Sequence, residues 1–397
     1  MLRLSLLAVV IAVCASACGK PPVQPETPDS GTGGGTGTTT GGGTGGDDAG
    51  TGGGGSLATG GGTTATGGGS ATTGGGTGTT GGGSATTGGG TGTTGGGSAM
   101  TGGGTGTVDA GVPAVRFIAI GDTGKGNTGQ NQVGQAIGTF CAANGCDFVV
   151  MLGDNFYPSG VSSTTDPQWQ TAFVQPYATV NAPFYAVLGN HDYGGDGAGT
   201  EIQKGDNQVA YSAVNPKWRM PSHHYKWQVG DVEFFAADTN RSMFGIDQNV
   251  KRDFDTWLPN STALWKIVFA HHPYKSNGPH GNAGSYDDLP FVPIANGNGV
   301  KDFVEDRVCG RADFYITGHD HNIQWLQATC TRNGSTLNTG LILSGGAAST
   351  TALERNQPNY YQSDALGFVY IVIQGRSFTA TFFDGDGVQK FTRTVTK

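Results

Sequence analysis

Eight side chains carry the chemistry of this sequence: Asp122, Asp154, Tyr157, Asn190, His191, His271, His319 and His321. They lie in five short polar clusters: Gly121-Asp122-Thr123-Gly124, Gly153-Asp154-Asn155-Phe156-Tyr157, Gly189-Asn190-His191-Asp192, His271-His272-Pro273 and Gly318-His319-Asp320-His321-Asn322. Carboxylates, imidazoles, an amide and a phenol make a mixed oxygen and nitrogen donor set that suits Fe, Zn or Mn. The set is too large for one ion of ordinary coordination. It fits two ions sharing a bridging carboxylate, about 3.5–4 Å apart, as in two-metal hydrolytic sites. Singly, several clusters have plainer readings, because a Gly-Asp after a strand often caps a helix or makes a turn. Gly318-His319-Asp320-His321 is more specific, since two imidazoles two residues apart after a strand are expected to project to one side. Five such clusters in this order point to a metal centre.

The elements that must position them are also visible. Each cluster ends a short apolar run rich in Val, Ile and Phe, at 115–120, 147–152, 184–188, 265–270 and 313–317. These have the length of buried strands. Helices are expected between several of them, at about 130–143, 167–178, 248–259 and 300–308. Strand followed by helix, repeated, predicts an α/β fold, with a sheet containing parallel pairs and helices on its faces. Ligands of such sheets bind beyond the strand C-termini, so the five clusters are expected to converge on one rim.

Composition bounds the rest. Of 397 residues, more than half of the 73 Gly precede Val112, in a tract with almost nothing apolar to bury. Such a tract cannot offset its ordering entropy. Residues 19–112 are therefore expected to be a disordered linker, and 113–397 a single folded domain. The linker carries a 14-residue Ser/Ala/Thr/Gly repeat starting at Ser70, Ser84 and Ser98. Without an apolar face to stack, it reads as a flexible spacer with a reach of roughly 50 Å. The net charge of -8 argues against a nucleic-acid partner but not against an anionic substrate, for which metal ions supply positive charge locally.

Residues 1–18 read as an export signal, with Arg3 followed by a short apolar core from Leu6 to Val13. Ala15-Ser16-Ala17-Cys18 resembles a bacterial lipoprotein cleavage site, with Cys18 as the lipidated residue; ordinary cleavage after the small residues is the alternative. The chain is thus expected to be exported, and either tethered at the cell envelope or surface or released. Cys141, Cys146, Cys309 and Cys330 remain, an even count that suits two disulfides. Cys141–Cys146 with Cys309–Cys330 is the expected pairing, against a thiolate metal site.

Together these motifs resemble the calcineurin-like metallophosphoesterases, and within them the purple acid phosphatases of the small, tartrate-resistant type. Tyr157, three residues after Asp154, narrows the match. So do Ala210-Tyr211-Ser212 followed by Trp218, Pro221 and Tyr225, and the stretch Phe234 to Thr239. The resemblance spans about 115–384. It implies a four-layer αββα sandwich and hydrolysis of phosphomonoesters. It places Asp122, Asp154, Tyr157 and His321 on an Fe(III) ion, and Asp154, Asn190, His271 and His319 on a divalent Fe, Zn or Mn. Hydroxide generated from a metal-bound water would attack phosphorus in line with the leaving group. His191 would protonate the leaving alkoxide, and His280 would stand near it. Two departures stand out: Tyr193 occupies the place of a second His, and a glycine-rich insertion, 194–199, follows it.

Two other functions compete with this reading. One is a phosphodiesterase or nucleotidase with two divalent ions, against which Tyr157 argues. The other is a non-catalytic surface binding module, against which the complete donor set argues.

Overall fold

The computed structural model describes residues 111–292 and 295–397. The expected signal and Cys18 anchor lie outside the described residues, as does the spacer up to residue 110. In chain order the strands are β1 (Val115–Ile120), β2 (Phe148–Leu152), β3 (Phe184–Val187), β4 (Trp218–Arg219), β5 (Tyr225–Val229), β6 (Val232–Ala236), β7 (Trp265–Phe269), β8 (Phe314–Thr317), β9 (Ile323–Leu326), β10 (Cys330–Arg332), β11 (Ser335–Leu337), β12 (Gly340–Ser344), β13 (Asn359–Ser363), β14 (Gly367–Gln374), β15 (Ser377–Asp384) and β16 (Gln389–Thr396). The α-helices are α1 (Thr128–Asn144), α2 (Lys204–Tyr211), α3 (Thr239–Met243), α4 (Gln248–Asn260) and α5 (Asn298–Phe303).

Two seven-stranded sheets result, ordered β16-β15-β14-β1-β2-β3-β4 and β13-β9-β12-β8-β7-β6-β5. Each has a parallel centre, β1 to β4 in one and β12, β8, β7 and β6 in the other, with antiparallel strands outside it. The sheets face one another across an aromatic seam. Phe117 of β1 meets Phe234 of β6 at 5.5 Å and Phe269 of β7 at 5.8 Å, and Phe314 of β8 stacks on Phe378 of β15 at 3.7 Å. Burying each such ring contributes roughly 1.5–3 kcal/mol.

Helices cover the outer faces. Asn127 caps α1 by accepting from the Gln130 amide, and Phe140 of α1 packs on Tyr370 and Phe383 of the first sheet. On the second sheet, Phe254 of α4 meets Phe235 of β6 and Phe303 of α5. The layers are therefore helix, sheet, sheet, helix, the expected αββα sandwich.

One expectation needs correction. The five ligand-bearing strands do not share a sheet: β1, β2 and β3 lie in the first, and β7 and β8 in the second. A strand covered by a helix on one face and a second sheet on the other is as uniformly apolar as one covered by helices on both. Periodicity therefore could not reveal sheet membership. The helix expected at 167–178 forms as a shorter π-helix, Trp169–Val174. Both expected disulfides, Cys141–Cys146 and Cys309–Cys330, are present, which suits an exported protein.

Candidate metal centre

The C-terminal ends of β1, β2, β3, β7 and β8 meet at one rim on the seam between the sheets, and hydrogen bonds cross between their loops. Asp122 Oδ2 accepts from the His319 amide at 2.8 Å, tying the first sheet to the second. Asp154 Oδ1 accepts from the His191 amide at 2.9 Å. His271 Nδ1 donates to the Leu152 carbonyl at 2.9 Å, another link between the sheets. Three of these residues have left-handed backbones: Asp122 (φ 59°), Asp154 (φ 52°) and His319 (φ 75°). Each such residue costs on the order of 1–3 kcal/mol, which the cross-loop bonds offset. His319 therefore does not continue the strand, yet it and His321 line one cleft, as expected. Their imidazoles meet different partners there, His321 the Tyr157 hydroxyl and His319 the His271 ring.

Two groups of donor atoms form there. In the first, the Tyr157 hydroxyl lies 3.3 Å from Asp122 Oδ1, 2.9 Å from Asp154 Oδ2 and 3.1 Å from His321 Nε2. In the second, His271 Nε2 lies 3.0 Å from Asn190 Oδ1, 3.1 Å from His319 Nδ1 and 3.5 Å from Asp154 Oδ1. Asp154 belongs to both, offering one oxygen to each.

The donor chemistry fits cations. The Leu152 carbonyl can only accept, so His271 Nδ1 carries a hydrogen, and in the neutral ring Nε2 is a bare lone pair. That lone pair then faces the acceptor oxygens of Asn190 and Asp154. The amide orientation of Asn190 is fixed too, because its Nδ2 donates to the Gly197 carbonyl at 2.8 Å. Likewise one phenolic proton on Tyr157 faces several acceptors. A proton on His271 relieves the second group; a cation in each group relieves both. Spacings near 3 Å also match adjacent ligands of an ion with bonds of about 2.1 Å.

The electrostatics agree. Burial pushes the Asp122 carboxyl up to about 8, opposed by His271 and reinforced by Asp154. Burial also acts on Asp154, but the His271 and His191 imidazoles outweigh it and hold the carboxyl well below its usual range. Burial lowers His271, yet Asp154 overrides it and raises the ring to about 9. His319 and His321 are driven down, first by burial and then by neighbouring cations, so they stand neutral with lone pairs available; His321 falls to about 3.

The two candidate catalytic histidines line the same cleft of about 890 Å³, with Tyr157, His319 and His321. His191 Nδ1 donates to the Pro158 carbonyl at 2.6 Å, and its Nε2 lies 4.0 Å from Asp154 Oδ2. His280 stacks on His319 at 4.2 Å between ring centroids, and its Nδ1 bonds Asp287 at 2.7 Å. Burial lowers His280, but Asp287 and Asp320 outweigh it and bring the ring to about 9.

The structure adds residues that sequence reasoning missed. Ser349, on the segment after β12, bonds His321 Nδ1 at 3.0 Å, and Lys125 lies over the Tyr157 ring at 4.6 Å. His272 bonds Thr239 at 3.0 Å, and one of its ring nitrogens stays within 4.8 Å of those of His271 and His319. Tyr193, in the place of the second His, is turned away from the cleft. It is buried and donates to Asp238 at 2.5 Å. Lys125 and His272 had a signal available, since each adjoins a recognised cluster. Ser349 had none.

The family profile described as calcineurin-like phosphoesterase matches residues 115–322. Purple acid phosphatase 7 of Arabidopsis thaliana is 30% identical over 259 residues, 59% of this chain and 70% of that protein. Tartrate-resistant acid phosphatase type 5 of Homo sapiens is 28% identical over 325 residues, 71% of this chain and 91% of that protein. Among solved structures, one titled GAP50 the anchor in the inner membrane complex of Plasmodium superposes with a TM-score of 0.55 at 22% identity. It covers 71% of this chain and 89% of its own, a likeness of fold.

Proposed function

The chain belongs to the calcineurin-like phosphoesterase family, as a member similar to purple acid phosphatases, and from that premise we propose that it hydrolyses phosphomonoesters at a two-metal centre. The observation that carries the reading is the pair of donor groups sharing Asp154, one oxygen each. Asp122, Asp154, Tyr157 and His321 would hold an Fe(III) ion; Asp154, Asn190, His271 and His319 would hold a divalent Fe, Zn or Mn. When bound, the ions supply positive charge against the phosphate oxygens and make a water more acidic.

The protein's own side chains do the rest. His191 has Nδ1 committed to the Pro158 carbonyl, so its Nε2 is the atom left to hand a proton to a leaving alkoxide. His280, fixed by Asp287, presents its ring on the other side of the cleft beside His319. Against the binding-module reading, no expected donor position is substituted. We further propose export, which the two disulfides suit, with a lipid tether at Cys18. A mature N-terminal peptide beginning with unmodified residues would remove the tether.

The deciding experiment is the visible spectrum of the purified protein as isolated. A purple band that disappears in Tyr157→Phe is expected, because it reports phenolate bound to Fe(III). A colourless protein with two divalent ions would replace this reading with the phosphodiesterase one. A protein that binds no metal would end both.

A further inference from the structure

The glycine-rich insertion, 194–199, has no counterpart in the motifs that carry the resemblance, yet it touches two residues of the site. The Gly197 carbonyl accepts from Asn190 Nδ2 at 2.8 Å, and because a carbonyl only accepts, this bond decides which end of the Asn190 amide faces His271. Gly197 also lies flat on His191. A Cβ at this position would stand 2.6 Å from the imidazole Cε1 and Nε2, and its φ of +89° favours glycine. From its other side His191 is held by the Pro158 carbonyl at 2.6 Å.

The next residue, Ser159, latches onto the insertion. Its Oγ donates to Asp196 Oδ1 at 2.6 Å and accepts from the Asp196 amide at 2.8 Å. The segment is pinned at both ends as well. The Gly195 amide donates to Glu201 at 2.8 Å, and buried Asn240 donates to the Gly199 carbonyl at 3.1 Å. None of these anchors is a donor in either metal group.

We propose that segment 194–199 is a positioning strap, with Gly197 setting the Asn190 amide so that its oxygen faces His271 Nε2 and holding the His191 ring against Pro158. The strap governs occupancy of the second ion site more than the first, because Asn190 is the donor that bonds to it directly, whereas the Tyr157 group meets it only through the His191 ring, 4.3 Å from that of Tyr157, and through Ser159. This rests on the two-metal reading.

The test is calorimetric titration of a divalent ion, Zn or Mn, into protein whose phenolate absorption is recorded in parallel. Gly197→Ala is expected to weaken the second ion by about 10–100-fold, the usual cost of losing an outer partner of a ligand, with the first ion and its Tyr157 absorption retained. Asp196→Ala, at an exposed position, should act in the same direction and by less. Asp196→Asn, which keeps an acceptor for Ser159, should stay close to wild type.

Wild-type affinity in both Gly197→Ala and Asp196→Ala would overturn the proposal. So would an equal loss of both ions in Asp196→Ala, which would mark the segment as merely structural. Should Gly197→Ala not fold, Asp196→Ala against Asp196→Asn decides. Failure of the two-metal reading is distinct: the wild-type protein itself would then take up no second ion.

Discussion

Gly189→Ala tests the close packing around Asp154 most directly. Gly189 precedes Asn190, and a Cβ built there would lie 2.2 Å from Asp154 Oδ1 and 2.5 Å from the Asp154 amide nitrogen. Ordinary carbon–oxygen contact begins near 3.2 Å, so the carboxylate must retreat by about 1 Å. It cannot do so freely, because the same oxygen accepts from the His191 amide at 2.9 Å and Oδ2 from Tyr157 at 2.9 Å. Overpacking of this kind costs roughly 1–3 kcal/mol. A displacement of about 1 Å at a catalytic centre costs on the order of 10²-fold in rate.

The expected phenotype is a folded protein, its Tm down by several degrees, with kcat reduced about 100-fold and weaker binding of both ions, since Asp154 serves both groups. The assays are thermal unfolding, metal analysis and turnover of a phosphomonoester. Gly230→Ala is the control for strain away from the site: its Cβ would meet nothing within 4 Å but its φ of +55° favours glycine, so Tm should fall while metal binding and turnover hold. Both ions bound with turnover within about threefold of wild type would refute the argument that Asp154 is held by contact.

Other outcomes follow from the same geometry. His191→Ala should keep both ions and lose most turnover, and retained turnover would remove His191 from the acid role. His223, between Asp206 at 2.7 Å and Asp238 at 3.6 Å, is lowered by burial, but bonds to both carboxylates and the Asp238 charge leave it above its ordinary 6.5. The folded chain therefore binds this proton more tightly than the unfolded one. The stabilisation is full below about pH 6.5 and is lost as pH rises through the folded value. His223→Gln should accordingly lower Tm more at pH 5.5 than at pH 9, and an equal loss at both would contradict the assignment.

The strands that carry ligands were legible nearly to the residue. Val115–Ile120 forms as expected, and the runs ending at Leu152 and Thr317 lose only their first residue. These runs are buried on both faces and are punctuated by glycine, which is a local signal. Which sheet each strand joins is settled by contacts far apart in the chain, and nothing local records it. The C-terminal strands were not recognised, although β16 alternates exposed and half-buried residues as an edge strand should. The donor residues were legible for a related reason: each sits where a strand stops and the backbone turns. Ser349, Asp287 and Gly197 hold the site from loops without such punctuation. Gly197 acts through a backbone carbonyl, which leaves no trace in residue type.

The seam between the sheets has a thermodynamic consequence. Asp122 and His319 are 197 positions apart, and they join halves of the sandwich that come together only in the folded chain. An ion seated among Asp122, Asp154 and His321 would act there as a reversible cross-link. It binds the native state and finds no such site in the unfolded one. At a hundredfold excess over its dissociation constant it adds about 2.7 kcal/mol to the fold. Metal supply would then set lifetime as well as rate. A chelator should lower Tm and bring hydrogen exchange first to the strand ends at the seam, whereas an unchanged Tm would mean that the two sheets hold together without help from the ions.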